Sequence, residues 1–357
     1  MVNLLRRKVV NIKRRGLVNL TGKSTPTPEQ LKTAFAKRNK TSNPEETEAK
    51  KPTVSFMNIF DEFLKECGTQ NNWTDATYKK FSALKTHLNK FKSDLTFEDL
   101  SESGLNEFVN YLRDKKDMRN SSIGKQISLL KWFLRWGLKK GRHNNNAIES
   151  FNPKLKNAPK KVIFLTWGEL NKLRDYKIPA NKQYLERVRD VFLFTCFTGL
   201  RYSDVYNLKT SDIKDDHIEI TTVKTVDSLI IELNKHSKSI LEKYKDVHFE
   251  NNKVLPVITN QKMNDYLKEL AELAEINEPV GETYYKGNQR IDEVTPKHAL
   301  LGTHAGRRTF ICNALSLGIL PQVVMKWTGH SDYKAMKPYI DIADEIKANA
   351  MSKFNQL

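Results

Sequence analysis

The chain has 357 residues, with 60 Lys and Arg against 42 Asp and Glu, a formal net charge of +18. That length is more than one hydrophobic core usually organises, and the charge excess points to a polyanionic partner such as nucleic acid. With 39% hydrophobic and 10% aromatic residues the chain can build real cores, which excludes wholesale disorder. Cys67, Cys196 and Cys312 are odd in number and far apart. They exclude a disulfide scaffold and fit a reducing compartment. No Cys/His cluster has zinc spacing, no signal-peptide pattern opens the sequence, and the longest apolar run, around Val191–Phe197, is too short to span a bilayer. The expectation is a cytoplasmic protein without membrane association.

The first 52 residues carry thirteen basic and four acidic side chains, half of the total excess. They predict a basic N-terminal extension, with a short amphipathic stretch from Thr25 to Phe35 and a polar, proline-containing linker from Thr41 to Thr53. From 54 to 140 the apolar spacing is helical. One segment carries Phe56, Ile59, Phe60, Phe63 and Leu64. A second, after a cap at Thr74, carries Tyr78, Phe81, Leu84, Leu88 and Phe91. A third runs from Leu105 to Leu112, and a fourth through Ile123, Ile127, Leu130, Phe133, Leu134 and Leu138. Together they predict a helical bundle over 53–150.

Between Asp117 and Glu169 the only acid is Glu149, against eleven Lys and Arg residues. A basic face on the fourth helix (Lys125, Lys131, Arg135, Lys139, Lys140) runs into a basic linker over 151–162 with Lys154, Lys156, Lys160 and Lys161. Such a track fits a phosphate backbone. After it a second domain is expected over 163–357, opened by a capping box at Thr166–Glu169. Helices follow to Phe197. Alternating strands at Ile218–Lys224 and Leu229–Leu233 are joined by the turn Thr225–Ser228, and further helices close the chain.

Four stretches in this second domain carry chemistry. In Phe197-Thr-Gly-Leu-Arg-Tyr-Ser-Asp-Val205, Gly199 reads as a helix C-cap and Ser203 as the cap of the next helix, which puts Arg201 in a tight turn. Lys224 falls at the end of a hairpin strand. In Gly302-Thr-His-Ala-Gly-Arg-Arg-Thr-Phe310, a cap at Thr303 would place His304 and Arg307 on one face of a first helical turn, a ready phosphate site. Trp327-Thr-Gly-His330 is followed nine residues later by Tyr339. Taken singly, each stretch also reads as plain structure: a loop arginine, an edge lysine, a capped helix, a packing tyrosine.

As a set, Arg…Lys…His-x-x-Arg…Gly-His…Tyr resembles the signature of the tyrosine recombinases, the phage-integrase family, over residues 53–357. The resemblance implies a mainly α fold with a small β-sheet: a helical, SAM-like core-binding domain followed by an α+β catalytic domain. It implies Arg201 and Arg307 as phosphate-clamping arginines, Lys224 as the hairpin lysine, His304 and His330 as the two histidine positions and Tyr339 as nucleophile. Arg308 stands where many members have a second His, and Gly306 where Leu is commoner. The implied function is site-specific cutting and rejoining of DNA through a 3′-phosphotyrosyl link, with no metal and no cofactor. The implied partners are double-stranded DNA, a homo-tetramer on two DNA sites, and accessory DNA-bending or directionality proteins. The basic extension resembles a truncated arm-binding region and favours a mobile-element integrase of a prokaryote. Resolution of chromosome or plasmid dimers, or a non-catalytic DNA-binding role on the same scaffold, are the alternatives. An apolar seam of Ile342, Ile346, Ala350 and Phe354 fits a tail that docks on a neighbouring protomer.

Overall fold

The computed structural model describes Glu29 and residues 55–342. The basic extension over 1–52, apart from Glu29, and the seam residues Ile346, Ala350 and Phe354 lie outside the described residues. Chain contacts divide the molecule into two compact units, one ending at Phe108 and joined by Leu129–Phe151, the other made of Val109–Ser128 and everything from Asn152 onward.

In the first unit, helix α1 (Phe56–Gln70) starts on Ser55, whose hydroxyl accepts the Asn58 N–H at 3.2 Å. Its stripe of Phe56, Ile59, Phe60 and Phe63 is buried, as the spacing predicts. Helix α2 (Asp75–Phe91) starts after Thr74 and buries Phe81, Leu84 and Leu88. The core is aromatic. Phe63 lies 5.1 Å from Phe81, Trp73 stacks on Phe81 at 4.6 Å, and Phe60 lies 4.5 Å from Phe133 of the long helix α4 (Asn120–Lys139). Each such pair adds about 1 kcal/mol beyond its buried area. Helix α3 (Glu102–Asp114) and α4 each contribute residues to both units.

The second unit is built around helix α6 (Tyr184–Thr198), on which Leu185, Val188, Val191, Phe192, Leu193, Phe194 and Phe197 are buried. It is preceded by α5 (Trp167–Asp175), opened by the expected capping box between Thr166 and Glu169, and ended by Gly199 at φ +72°. Helix α7 (Tyr202–Asn207) leads to strand β1 (His217–Thr221), antiparallel to β2 (Ser228–Glu232) with Ile218 opposite Ile231. Helices α8 (Lys235–Tyr244) and α9 (Asn260–Leu273), strands β3 (Pro279–Lys286) and β4 (Gln289–Pro296), and helices α10 (Thr303–Ser316) and α11 (Pro321–Thr328) complete it. Helix α10 crosses α6 at Gly306, where a Cβ would lie 2.9 Å from the Thr195 Cβ and 3.3 Å from the Phe192 ring. The glycine costs about 1 kcal/mol of helix propensity and permits that close approach.

Among the described residues the fold is mainly helical with two two-stranded sheets, in line with the expected class. Four local expectations need correction. The stretch Pro279–Pro296 is a hairpin rather than helix. Its two-residue turn Gly287-Asn288, with Gly287 at φ +58°, is a hairpin signal that the run Thr283-Tyr-Tyr285 reinforces. Arg201, not Ser203, holds the N-cap position of α7, because the Ser203 hydroxyl turns to Asp204. Gly302, not Thr303, precedes α10. The Thr303 hydroxyl and amide are taken up by Asn260 and Asn264 of α9. Strand pairing stops at Thr221 and Ser228, so Lys224 sits in the connecting loop. There the Thr222 N–H bonds the Asp227 carbonyl at 2.8 Å, its hydroxyl accepts the Asp227 N–H at 3.0 Å, and Val226 adopts φ +58°.

Candidate active site

Two glycine-ended helices and one helix start deliver the polar residues of the second unit to one place. Gly199 turns the chain out of α6 in the left-handed conformation, which glycine adopts without a Cβ penalty, and so places Arg201 at the head of α7. Gly329, at φ +61°, does the same after α11 and presents His330. The first turn of α10 carries His304 and, one turn on, Arg307.

Arg307 is the most telling residue. It is 1% exposed, and among the described residues no carboxylate is bonded to it. Nη1 donates to the Gly199 carbonyl at 2.9 Å, and Nη2 makes a short bond to the Thr328 carbonyl. Nη2 also lies 3.4 Å from His330 Nδ1, so two of the five Arg307 N–H groups remain available. Burial and the neighbouring Arg201 push its pKa down to about 10, while Asp204 and Tyr339 act in the opposite sense. A buried guanidinium held by two carbonyls and a neutral imidazole keeps its positive potential and favours an incoming anion.

Arg201 stands beside it with its side chain 18% exposed. Its Nη1 lies 3.9 Å from Asp204 Oδ2, and neither atom has a hydrogen-bond partner. Asp204 Oδ1 accepts the Val223 N–H at 3.0 Å. One carboxylate thereby faces Arg201 and ties down the loop that carries Lys224. The pair Arg201/Asp204 is an i, i+3 pair legible in Arg201-Tyr-Ser-Asp204, yet the sequence pattern alone gave Asp204 no role. The carbonyls of Gly199 and Thr328 carry no sequence signal at all.

The histidines are set for the neutral state. Burial, then Arg308, Arg307, Arg201 and Lys224, push His304 down to about 4. Burial, then Arg307, Arg201 and His304, push His330 down to about 4. His330 Nδ1 lies 2.8 Å from the Thr328 hydroxyl oxygen, which lies 2.6 Å from the Val324 carbonyl. Arg307 Nη2, which can only donate, lies 3.4 Å from the same Nδ1, so the ring is held between the hydroxyl and the guanidinium. Between pH 6.5 and about 4 the unfolded chain binds more protons at these two rings than the folded one. Their contribution to stability is therefore complete above pH 6.5 and falls as pH drops through that window. Thermal melts are expected to show this loss between pH 7 and 5, and His330→Gln should reduce it. An identical pH response in His330→Gln would contradict the assignment.

Tyr339 follows the single turn Tyr333–Ala335, half-buried against a cluster of Ile311, Ala314, Leu315, Val324 and Met336. Arg201, Arg307 and Lys224 act electrostatically on His304, Arg201, Arg307 and His304 act on His330, and Tyr339 acts on Arg307, so the six sequence-predicted positions lie in one neighbourhood. Lys224 is exposed on its loop.

The expected basic track is less uniform. In the first unit Arg135 is engaged by Glu149 through two of its nitrogens at 2.7–3.0 Å, and Lys140 is paired with Glu66. Lys131 is half-buried and Lys139 exposed. In the second unit Lys125, Lys154, Lys156, Lys160 and Lys161 are exposed, with no ion pair among the described residues. Among the described residues no group of three His, Cys, Asp or Glu side chains could hold a metal ion, and no helix is long and apolar enough to cross a membrane.

Residues 55–155 match the phage integrase SAM-like domain and residues 164–345 the phage integrase family. A tyrosine recombinase of Pseudothermotoga lettingae is 24% identical over 271 residues, covering 74% of this chain and 86% of the relative. Tyrosine recombinase XerC of Treponema denticola is 24% identical over 303 residues, covering 82% and 96%. In fold the chain is similar to a lambda integrase tetramer bound to a Holliday junction, with TM-score 0.63, 15% identity, and coverage of 90% of this chain and 89% of that one. The Tn1549 transposon integrase in complex with circular intermediate DNA gives TM-score 0.57, 15% identity, and coverage of 79% and 94%. Fold and site thus define a DNA-recombining enzyme. The chain belongs to the phage integrase family, and within it is a tyrosine site-specific recombinase.

Proposed function

We propose that the protein is the integrase of a prokaryotic mobile genetic element, acting in the cytoplasm. It cuts and rejoins double-stranded DNA through a 3′-phosphotyrosyl link at Tyr339. The observation that carries this reading is the buried, carboxylate-free Arg307 beside Arg201, whose Nη1 is buried without a hydrogen-bond partner, at a site that also holds a tyrosine. Residues 53–150 act as the core-binding domain, 151–162 as a basic linker and 163–357 as the catalytic domain. The basic extension over 1–52 favours a mobile element over dimer resolution, and the likeness of the fold to phage and transposon integrases supports that choice.

In the reaction, Arg201 and Arg307 bind the non-bridging oxygens of one phosphodiester and hold its charge as it grows in the pentavalent transition state. A free tyrosine hydroxyl, with a pKa near 10, is a weak nucleophile at neutral pH. The cations favour its phenolate, and the neutral imidazoles of His304 and His330 are the available proton acceptors. The Tyr339 oxygen forms a bond to phosphorus as the bond to the 5′ oxygen breaks, and the Lys224 ammonium gives that oxygen its proton. The phosphodiester energy is kept in the new link, so rejoining is the reverse step and needs no ATP. Arriving DNA adds negative charge beside both imidazoles, which raises their pKa and makes them better acceptors for the tyrosine proton.

A homo-tetramer on two DNA sites is the active assembly. The lambda integrase tetramer on a Holliday junction supports it by analogy of fold. The test is covalent trapping: a nicked duplex carrying an end of the element should yield an SDS-stable adduct, formed equally well in EDTA. An adduct that requires a divalent metal, or none at all, would defeat the mechanism.

A further inference from the structure

Within the second unit, the short segment Asp117–Asn120, the β3–β4 hairpin and the basic linker are fastened to one another. Asn120 is 1% exposed. Its Nδ2 donates to the carbonyls of Lys156 and Gly287, each at 2.9 Å, and its Oδ1 accepts the Gly287 N–H at 2.8 Å. Both amide protons and the carbonyl oxygen are thereby used. The guanidinium carbon of Arg119 lies 3.5 Å from the centre of the Tyr284 ring, and its nitrogens reach Glu282 at 3.0 Å and Glu293 at 3.5 Å. Lys286 pairs with Asp117 at 2.5 Å. The hairpin turn presses close, since a Cβ on Gly287 would lie 2.9 Å from the Arg113 Cδ.

The linker has little of its own to order it. Residues 151–166 form neither helix nor strand, and one backbone bond, from Leu155 to the Pro153 carbonyl, lies within it. Its lysines at 154, 156, 160 and 161 are exposed. The bond from Asn120 to the Lys156 carbonyl falls in the middle of these four.

We infer that Asn120 and Arg119 are positioning residues: the clasp they form with the β3–β4 hairpin orders Lys154, Lys156, Lys160 and Lys161 before DNA arrives. A segment ordered in advance loses less conformational entropy on binding, so the clasp raises affinity without touching DNA. The inference rests on the proposal that the linker tracks the phosphate backbone, and the two can fail separately.

The linker reports on itself, because trypsin cuts after each of those lysines. In DNA-free protein, Asn120→Ala should speed tryptic cleavage of the linker about tenfold, the scale expected when buried polar groups lose their partners. Arg119→Glu should do the same, and adding Glu282→Arg should restore protection, since the swapped pair can re-form. The Arg119 pair is partly exposed, so the swap decides the matter even if Asn120→Ala melts the hairpin. Unchanged linker cleavage in both single variants, or no rescue by the swap, would overturn the clasp. Independently, neutralising all four lysines should flatten the slope of log affinity against log salt. An unchanged slope would take the linker off the DNA while the proteolysis result stood.

Discussion

Tyr339→Phe is expected to fold, to bind DNA with unchanged affinity, and to form no covalent adduct on a nicked substrate. Only one hydroxyl is lost, and the phenyl ring keeps its packing against Ile311, Leu315, Val324 and Met336. The adduct is lost because the remaining groups around the phosphate, two guanidiniums, two imidazoles and an ammonium, stabilise charge or move protons but carry no hydroxyl. Tyr333 is the obvious substitute nucleophile in sequence. It lies on the preceding turn, 53% exposed, and is not among the groups that influence His304, Arg307 or His330. An adduct that survived in Tyr339→Phe would sink the assignment and move attention to Tyr333.

The second large effect separates the two arginines. Arg307→Ala and Arg201→Ala should each slow single-turnover cleavage by about a hundred- to a thousandfold, the scale for loss of one charge-stabilising donor in a transition state. Their stabilities should differ. Removing Arg307 leaves the Gly199 and Thr328 carbonyls without their donor inside the protein, at a cost of about 3 kcal/mol. Arg201 makes no hydrogen bond through its buried Nη1 and only a 3.9 Å ion pair with Asp204, so its removal should cost less. Urea unfolding measures both. Equal stability loss in the two variants would mean that Arg201 is held by protein groups and is not waiting for a phosphate. Arg307→Lys should recover part of the cleavage rate but not the wild-type value, because an ammonium cannot reproduce the planar fork that spans both carbonyls and a phosphate oxygen.

Apart from the clasp, which is a matter of assembly, the chemistry of this site follows from a mismatch of partners. The molecule gathers Arg201, Lys224, Arg307 and Arg308 around His304 and provides one buried carboxylate, Asp204, in reply. Such a centre favours an anion. Burial first, and the excess positive charge after it, keep its two imidazoles neutral well below the ordinary pKa of histidine.

The sequence by itself determined the local structure and the inventory of the site. Apolar spacing placed α1, α2 and α4, the Thr166–Glu169 capping box opened α5, and Gly199 and Gly329 ended their helices as glycines in the left-handed conformation do. These signals act within about four residues, so they survive in a linear reading. Signals equally local mark the β3–β4 hairpin, in Gly287-Asn288, beside a stronger helical pattern around them. Only the tertiary structure decided which groups meet. The bond from Arg307 to Gly199 spans 108 residues, and those from Asn120 to the hairpin turn span 167. It also decided that Asp204 braces both Arg201 and the Lys224 loop, that Arg135 and Lys140 are answered by Glu149 and Glu66, and that Thr303 serves Asn260 rather than its own helix. No periodicity encodes such pairs. A polar side chain takes whichever partner the packed helices bring within reach, and that choice is made by the core.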